Sequence, residues 1–200
     1  MTDVLPPTPE GIARATELLQ AGQVVAFPTD TVYGVGVAGS RPDRLGALFD
    51  LKRRPLDRRI PLLVADLSQA TAAGWHVTDQ ARAVAERFWP GALTLVLAGA
   101  SETQAFRAPD HPVALSLIRA AGPIFATSAN VSDQPDTLGA DDVLIAFAID
   151  QDALAAVVDG GAVPGGISST VLDLSVTPAR ILRPGPISRE QLAEVVELDG

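Results

Sequence analysis

The sequence contains no cysteine, one lysine and two histidines. The absence of cysteine excludes disulfides, thiolate nucleophiles and cysteine-based zinc sites. With His76 and His111 as the only histidines, a transition-metal centre built by the protein is not expected. No apolar run reaches the ~20 residues of a membrane-spanning helix, and the start MTDVLPPTPE lacks the basic and apolar regions of a signal peptide. We therefore expect a soluble, cytoplasmic protein.

Positive charge is also scarce. Fifteen basic residues stand against 24 acidic ones, which gives a formal net charge of −9. Tight non-specific binding to nucleic acid is not expected, because such binding grows with the number of phosphates that are neutralised. If the few basic residues form a local groove, we expect that groove to bind RNA only weakly. The 200 residues are 47% hydrophobic and contain no obvious linker, so one domain spanning 1–200 is expected.

Apolar spacing predicts helices and strands that alternate along most of the chain. Helices are expected at 9–21, 42–51, 67–73, 78–88 and 111–121, from about 141, and from 188 to about 197. Strands are expected at 24–27, 32–37, 60–65, 93–98, 123–127, 157–158, 170–174 and 180–182, with residues 101–103 in a polar link. This alternation is typical of the α/β class with a largely buried, twisted sheet.

A run of positive charge follows the predicted helix 42–51. Five of the fifteen basic residues lie in the eight positions from Lys52 to Arg59, close in sequence to the hydroxyl-rich turn PTDT at 28–31. Cations beside hydroxyls are suited to a ligand that carries carboxylate or phosphate. A solvated helix end, where cations favour the helix dipole, is the alternative. The run by itself leaves both interpretations open.

The glycines of residues 34–39 match the dinucleotide fingerprint G-x-G-x-x-G. The first two fall inside a predicted strand, and no acidic residue clearly ends a second strand about twenty residues later, as that fingerprint requires. Close backbone packing is therefore favoured over an NAD site. A phosphate-binding G-x-x-x-x-G-K-[ST] motif is excluded because the only lysine follows Leu51.

Two further segments are candidates for ligand binding. Ser128 in ATSAN has no surrounding G-x-S-x-G, so a hydrogen-bonding role at a strand end fits it better than that of a nucleophile. The glycines of DGGAVPGGISST bring backbone N–H groups within reach of an anion, or they only shape a loop.

Taken in order, eight blocks resemble the YrdC family in its single-domain form: AFPTDTVYGVG, LKRRPLDRRIPLLV, WPGALTLVL, AFRAPDHPVALSLIR, ATSAN, DGG, SSTVLDL and ILRPGPIS. The resemblance implies a mixed, twisted α/β sheet flanked by helices, with a basic cavity on its concave side. It also implies synthesis of threonylcarbamoyl-AMP and pyrophosphate from L-threonine, bicarbonate and ATP, with Mg²⁺ accompanying the ATP. Downstream threonylcarbamoyl-transferase proteins would then modify tRNA.

The same resemblance assigns roles to individual residues. It implies that the catalytic cations are Lys52 and Arg54 and that the threonine-binding residues are Thr31, Arg107 and Ser169. It implies that the ATP-binding residues are Arg54, Arg58, Thr103, Ser128, Asn130 and Arg183. No metal ligand is implied. Alanine at Lys52 or Arg54 is accordingly predicted to abolish most activity without unfolding the protein.

The chain departs from the family pattern in two places. The link AGASETQAFR before Arg107 is shorter than in relatives, which bears most on Thr103, and Leu63 stands where some relatives have histidine. An alternative function is therefore kept open, namely a YrdC-like protein that binds tRNA or double-stranded RNA and lacks synthase activity.

Overall fold

The computed structural model describes residues 1–53, 59–150, 152–165 and 167–200. Within these residues, ten strands form one sheet in the order β1-β8-β2-β3-β7-β4-β6-β5-β9-β10. The strands are β1 (Asp3–Leu5), β2 (Val25–Phe27), β3 (Gly34–Ala38), β4 (Leu62–Leu63), β5 (Leu93–Ala98), β6 (Thr103–Arg107), β7 (Ile124–Ser128), β8 (Ala156–Val158), β9 (Thr170–Asp173) and β10 (Arg180–Arg183). The sheet is mixed: β4 runs parallel to β6 and antiparallel to β7.

Helices pack against the sheet. They are α1 (Pro9–Gln20), α2 (Leu45–Lys52), α3 (Leu67–Ala72), α4 (Asp79–Phe88), α5 (Pro112–Ala121), α6 (Ala140–Ala146) and α7 (Arg189–Ala193). Side chains alternate between the faces of a strand. In β2, Val25 and Phe27 therefore pack with α1 and α5, whereas Ala26 packs with α2 and α6. Helices α3, α4 and α7 pack on β5, β6 and β9. The predicted α/β class is confirmed.

Local sequence signals account for the helix ends. Thr8 precedes α1 and accepts a hydrogen bond from the backbone N–H of Gly11, and Thr78 does the same for Ala81 at the start of α4. Such caps satisfy backbone N–H groups that have no partner within the helix. Gly22 follows α1 with φ +80°, a conformation that glycine adopts at little cost. The predicted caps at Thr78 and Ser188 are confirmed.

Two predictions of secondary structure are wrong, and strand β1 was not predicted. Thr103 does not belong to a polar link, because it begins β6 and pairs with Ala98 of β5 in an antiparallel hairpin. Helix α7 ends at Ala193 instead of near 197, because Leu198 pairs with Ala179. The short strand β1 was missed, since its parallel partner β8 lies about 150 residues away and only the folded chain brings them together.

The glycine pattern of residues 34–39 serves close packing. A Cβ atom at Gly36 would lie 2.5 Å from the carbonyl oxygen of Phe125 on β7, and one at Gly39 would lie 2.8 Å from that of Pro123. Gly34 and Gly36 lie within β3 and not in a loop that opens a helix. This geometry confirms the packing interpretation and gives no support to a dinucleotide site.

We expect Gly36→Ala to lower the free energy of unfolding by about 2 kcal/mol or more, because the added methyl group forces β3 away from β7. Gly46 in α2 is the matched control, since nothing lies within 4 Å of its Cβ position. Gly46→Ala should stabilise the helix by up to about 1 kcal/mol. Urea denaturation of both variants measures the difference, and equal stabilities would contradict the packing argument.

Candidate functional site

A cavity of about 360 Å³ opens where the turn between β2 and β3 meets strands β4, β6, β7, β9 and β10. Its charged lining residues, among those the structure describes, are all arginines. Hydroxyl groups and small apolar side chains form much of the rest. The lining residues are Thr29, Thr31, Val32, Tyr33, Gly34, Arg59, Pro61, Leu63, Thr94, Ala105, Arg107, Ala126, Thr127, Ser128, Ser168, Ser169, Val171 and Arg183.

Arg107, the last residue of β6, is held in place from three directions. Its Nη2 donates to Asp30 Oδ1 at 2.6 Å, its Nη1 to Thr31 Oγ1 at 3.2 Å and its Nε to the carbonyl oxygen of Gly91 at 3.1 Å. The side chains of Arg107 and Asp30 are only 11% and 15% exposed. Because the guanidinium is already fixed in this way, its remaining N–H donors can bind a carboxylate with little further loss of side-chain entropy.

The PTDT turn is ordered by its own hydroxyl groups. Thr29 Oγ1 accepts from the backbone N–H of Thr31 at 3.2 Å and donates to the carbonyl oxygen of Val32 at 2.7 Å. The hydroxyls of Thr29 and Thr31 are 3.1 Å apart. Such local bonds are typical of Ser/Thr turns. They keep the Thr31 hydroxyl at the cavity wall beside Arg107.

A second group of polar side chains lies where β5, β9 and β10 meet. Ser169 Oγ is 2.8 Å from Thr94 Oγ1, and Arg183 Nη2 donates to the carbonyl oxygen of Ser169 at 2.8 Å and to its hydroxyl at 3.2 Å. Burial, and secondly the positive charge of Arg107, lower the pKa of Arg183 from its ordinary value. Two arginines that repel each other across a cavity favour an anion between them.

Lys52 ends helix α2 and lies beneath this cavity, not in its wall. It is 1% exposed. Its ammonium group donates to the carbonyl oxygen of Ser128, to that of Asn130 at 2.6 Å and to Asn130 Oδ1 at 3.3 Å. Ser128 Oγ in turn donates to Asn130 Oδ1 at 2.6 Å. The lysine therefore fixes the segment 128–130, whose Ser128 lines the cavity.

The glycine-rich loop after β8 is tied to the same turn. Tyr33 donates its hydroxyl hydrogen to the carbonyl oxygen of Gly161 at 2.8 Å and accepts from the backbone N–H of Gly160 at 3.2 Å. The N–H of Gly165 donates to the carbonyl oxygen of Thr31 at 2.9 Å. At these positions the backbone groups shape the loop and support the PTDT turn.

The structure thus brings together part of the predicted set. Five predicted residues line the cavity: Thr31, Arg107, Ser128, Ser169 and Arg183. Lys52 and Asn130 lie behind Ser128, and Thr103 contacts the cavity residue Arg59. Arg54 and Arg58 lie outside the described residues. The roles that the family pattern assigns to all of these residues stay predictions.

Sequence reasoning assigned no role to three residues of the site. Asp30 could have been noticed as the one acid between the hydroxyls of the PTDT turn, and Thr94 as the one polar residue in the apolar strand LTLVLA. Arg59 is one of five cations between positions 52 and 59, and the sequence gives no reason to single it out. In each case a contact with a residue distant in the sequence places the side chain at the site.

No group of three or more His, Cys, Asp or Glu side chains is placed to hold a metal ion in the ranges 1–53, 59–150, 152–165 and 167–200. Within the same ranges, none of the helices has both the length and the apolar character required to cross a membrane.

Comparison with known proteins gives consistent results. The chain is 40% identical over 209 residues to the threonylcarbamoyl-AMP synthase of Bacillus subtilis. The matched region covers 98% of the chain and 59% of that protein. It is 36% identical over 199 residues to a putative threonylcarbamoyl-AMP synthase of Mycobacterium tuberculosis, covering 94% and 90%. The chain thus spans about three fifths of the first relative and most of the second.

A solved structure agrees with these relatives. The crystal structure of Pyrococcus abyssi Sua5 complexed with L-threonine superposes with a TM-score of 0.89 at 32% identity, covering 100% of the chain and 62% of that protein. The model of the family Sua5/YciO/YrdC, described as telomere recombination, matches residues 17–185. The mixed sheet, the motifs and these matches agree, and the chain belongs to the Sua5/YciO/YrdC family.

Proposed function

We propose that this chain makes threonylcarbamoyl-AMP and pyrophosphate from L-threonine, bicarbonate and ATP. The observation that carries the proposal is the cavity in which Arg107, oriented by Asp30 and Thr31, faces the Ser169–Arg183 pair. Such a site suits a small ligand with a carboxylate and a hydroxyl. The names of the relatives and the threonine complex of the Pyrococcus protein support this assignment.

In this proposal threonine binds at the Arg107 end of the cavity. Arg107 takes the carboxylate, and the hydroxyls of Thr31 and Ser169 hydrogen-bond the amino acid. The threonine nitrogen attacks the carbon of bicarbonate, and loss of water gives the N-carboxylate. An oxygen of this carbamate then attacks the α-phosphorus of ATP, and the bond to the β-phosphate oxygen breaks to release pyrophosphate.

The second step brings two anions together, so the protein's main contribution is electrostatic. Fixed cations reduce the repulsion between carbamate and triphosphate and stabilise the charge that moves to pyrophosphate. Lys52, Arg54 and Arg58 are the cations that the family motif predicts for this task, and Ser128 and Arg183 line the wall on which the nucleotide would lie. No enzyme nucleophile is needed.

Mg²⁺ would accompany ATP, held mainly by phosphate oxygens and water, and would supply charge neutralisation at the departing pyrophosphate. Downstream transferase proteins would consume the product and modify tRNA. The alternative of an RNA-binding protein without synthase activity is not favoured, because the chain carries a net charge of −9 and its relatives are named as synthases.

The proposal is tested by measuring AMP and pyrophosphate from ATP and Mg²⁺ while L-threonine and bicarbonate are each supplied or withheld. We expect pyrophosphate release only when both are present. Pyrophosphate release that does not depend on threonine would indicate that the protein only hydrolyses ATP to AMP and pyrophosphate. A folded sample that binds ATP and releases no pyrophosphate under any condition would contradict the proposal.

A further inference from the structure

Arg59 is a cavity residue to which neither the motif nor the proposed reaction assigns a role. It lines the cavity together with Arg107 and Arg183. Those two arginines are held by Asp30, Thr31 and Ser169 at one end of the site. Arg59 is held elsewhere, at the beginning of β6.

The position of Arg59 is fixed by β6. Its Nη1 donates to the carbonyl oxygen of Thr103 and, at 3.0 Å, to Thr103 Oγ1. The next residue is fastened to the same strand, since Gln104 Nε2 donates to the carbonyl oxygen of Ile60 at 2.9 Å. An exposed arginine anchored in this way has already lost much of the side-chain entropy that binding an anion would otherwise cost.

Arg59 precedes β4 and lines the cavity together with residues of β4 and β6. In β4 and β6, which run parallel, Leu63 lies beside Arg107, and Pro61 and Ala105 also line the cavity. Every second residue of a strand points to the same side. Arg59 also lines the cavity and contacts Thr103 at the start of β6, so the floor of the cavity runs from Arg107 over small apolar side chains to Arg59.

This floor separates two cationic ends. Four residue steps along β6 correspond to about 13 Å between Thr103 and Arg107. An amino acid bound at Arg107 would fill only the near part of that length. The far end then has room for a second, longer anion that is bound by a cation with a planar, hydrogen-bonding head.

We propose that Arg59 binds the β- and γ-phosphates of ATP and that Thr103 is a positioning residue, which acts on the nucleotide by orienting Arg59. The inference rests on the proposed function and extends it, because it adds a binding residue outside the predicted set.

The test compares Arg59→Gln with Arg59→Lys by calorimetric titration with ATP–Mg²⁺ and with AMP. Glutamine retains a donor for Thr103 and removes the charge, whereas lysine keeps the charge. The matched control is Arg53→Asn, because Arg53 is an exposed cation of the same run that pairs with Asp150 at 3.5 Å. Asparagine tolerates the left-handed conformation of that position, which has φ 51°.

We expect Arg59→Gln to weaken ATP–Mg²⁺ roughly tenfold or more, which is the typical loss of a charge-assisted contact. AMP, which lacks the β- and γ-phosphates, should bind about as it does to the wild type. Arg59→Lys should lose less ATP affinity than Arg59→Gln, because it keeps the charge but not the planar head, and Arg53→Asn should keep all of it.

Equal ATP affinity of Arg59→Gln and wild type overturns the inference, and so does an equal loss of ATP and AMP affinity. An equal ATP loss in the glutamine and lysine variants also overturns it, because the effect would then not follow the charge. Wild-type protein that binds ATP but makes no pyrophosphate contradicts the proposed synthase while the titration still decides the role of Arg59. Wild-type protein that does not bind ATP overturns both.

Discussion

Replacement of Arg107 by methionine is expected to lower both stability and activity more than any other single change at the cavity. The substitution leaves the carboxylate of Asp30 unpaired in a position only 15% exposed. Removing one partner of a buried ion pair costs about 3–5 kcal/mol of unfolding free energy. Threonine would also lose the partner of its carboxylate, so kcat/KM for threonine should fall roughly 30-fold or more.

A second variant separates the two effects. In Arg107→Met/Asp30→Asn neither buried charge remains, so most of the lost stability should return. The activity towards threonine should not return with it. Guanidinium denaturation gives the stabilities, and pyrophosphate release at varied threonine gives kcat/KM. If the double variant regains wild-type kcat/KM, Arg107 does not bind the threonine carboxylate and serves only to neutralise Asp30.

Replacement of Lys52 by methionine is expected to have the second largest effect. The family motif predicts a loss of activity with the fold unchanged. The burial of Lys52 adds a loss of stability, because the carbonyl oxygens of Ser128 and Asn130 and the Oδ1 atom of Asn130 would lose their common donor. We expect the unfolding free energy to fall by about 3 kcal/mol or more.

The activity of Lys52→Met should fall as well, because segment 128–130 would no longer be held at the cavity wall. The measurement is turnover per folded molecule, taken at a temperature where unfolding curves show the variant to be folded. The matched control is Arg53→Asn, the next residue along the chain, which is exposed. Wild-type turnover of folded Lys52→Met would mean that the lysine supports the fold and takes no part in the reaction.

Many elements were predictable because their signals are local. Helix α4 begins after its cap Thr78 and ends at Phe88, before Trp89-Pro90-Gly91, as expected. Strand β5 has the predicted bounds Leu93–Ala98. Pairing with distant segments was not predictable in the same way. Strand β1 depends on β8, and the end of α7 depends on Ala179, so neither has a signal in its own residues.

The candidate site shows the same division. The motifs named Thr31, Arg107, Ser128, Ser169 and Arg183 from the sequence, and these residues line one cavity although the chain separates them widely. The motif did not show that Lys52 lies beneath the wall. It also gave no indication that Asp30 pairs with Arg107, since a hydrogen bond across 77 positions depends on the arrangement of the sheet.

The sequence by itself determined the class of the fold, the membership of a family and the residue types available for chemistry. Composition alone excluded cysteine chemistry. Among the residues that the structure describes, only the tertiary structure placed Arg59, Arg107 and Arg183 at the cavity and buried Lys52 behind Ser128. The direction and the burial of a side chain are properties of the assembled fold, because they depend on contacts between segments that are distant in sequence.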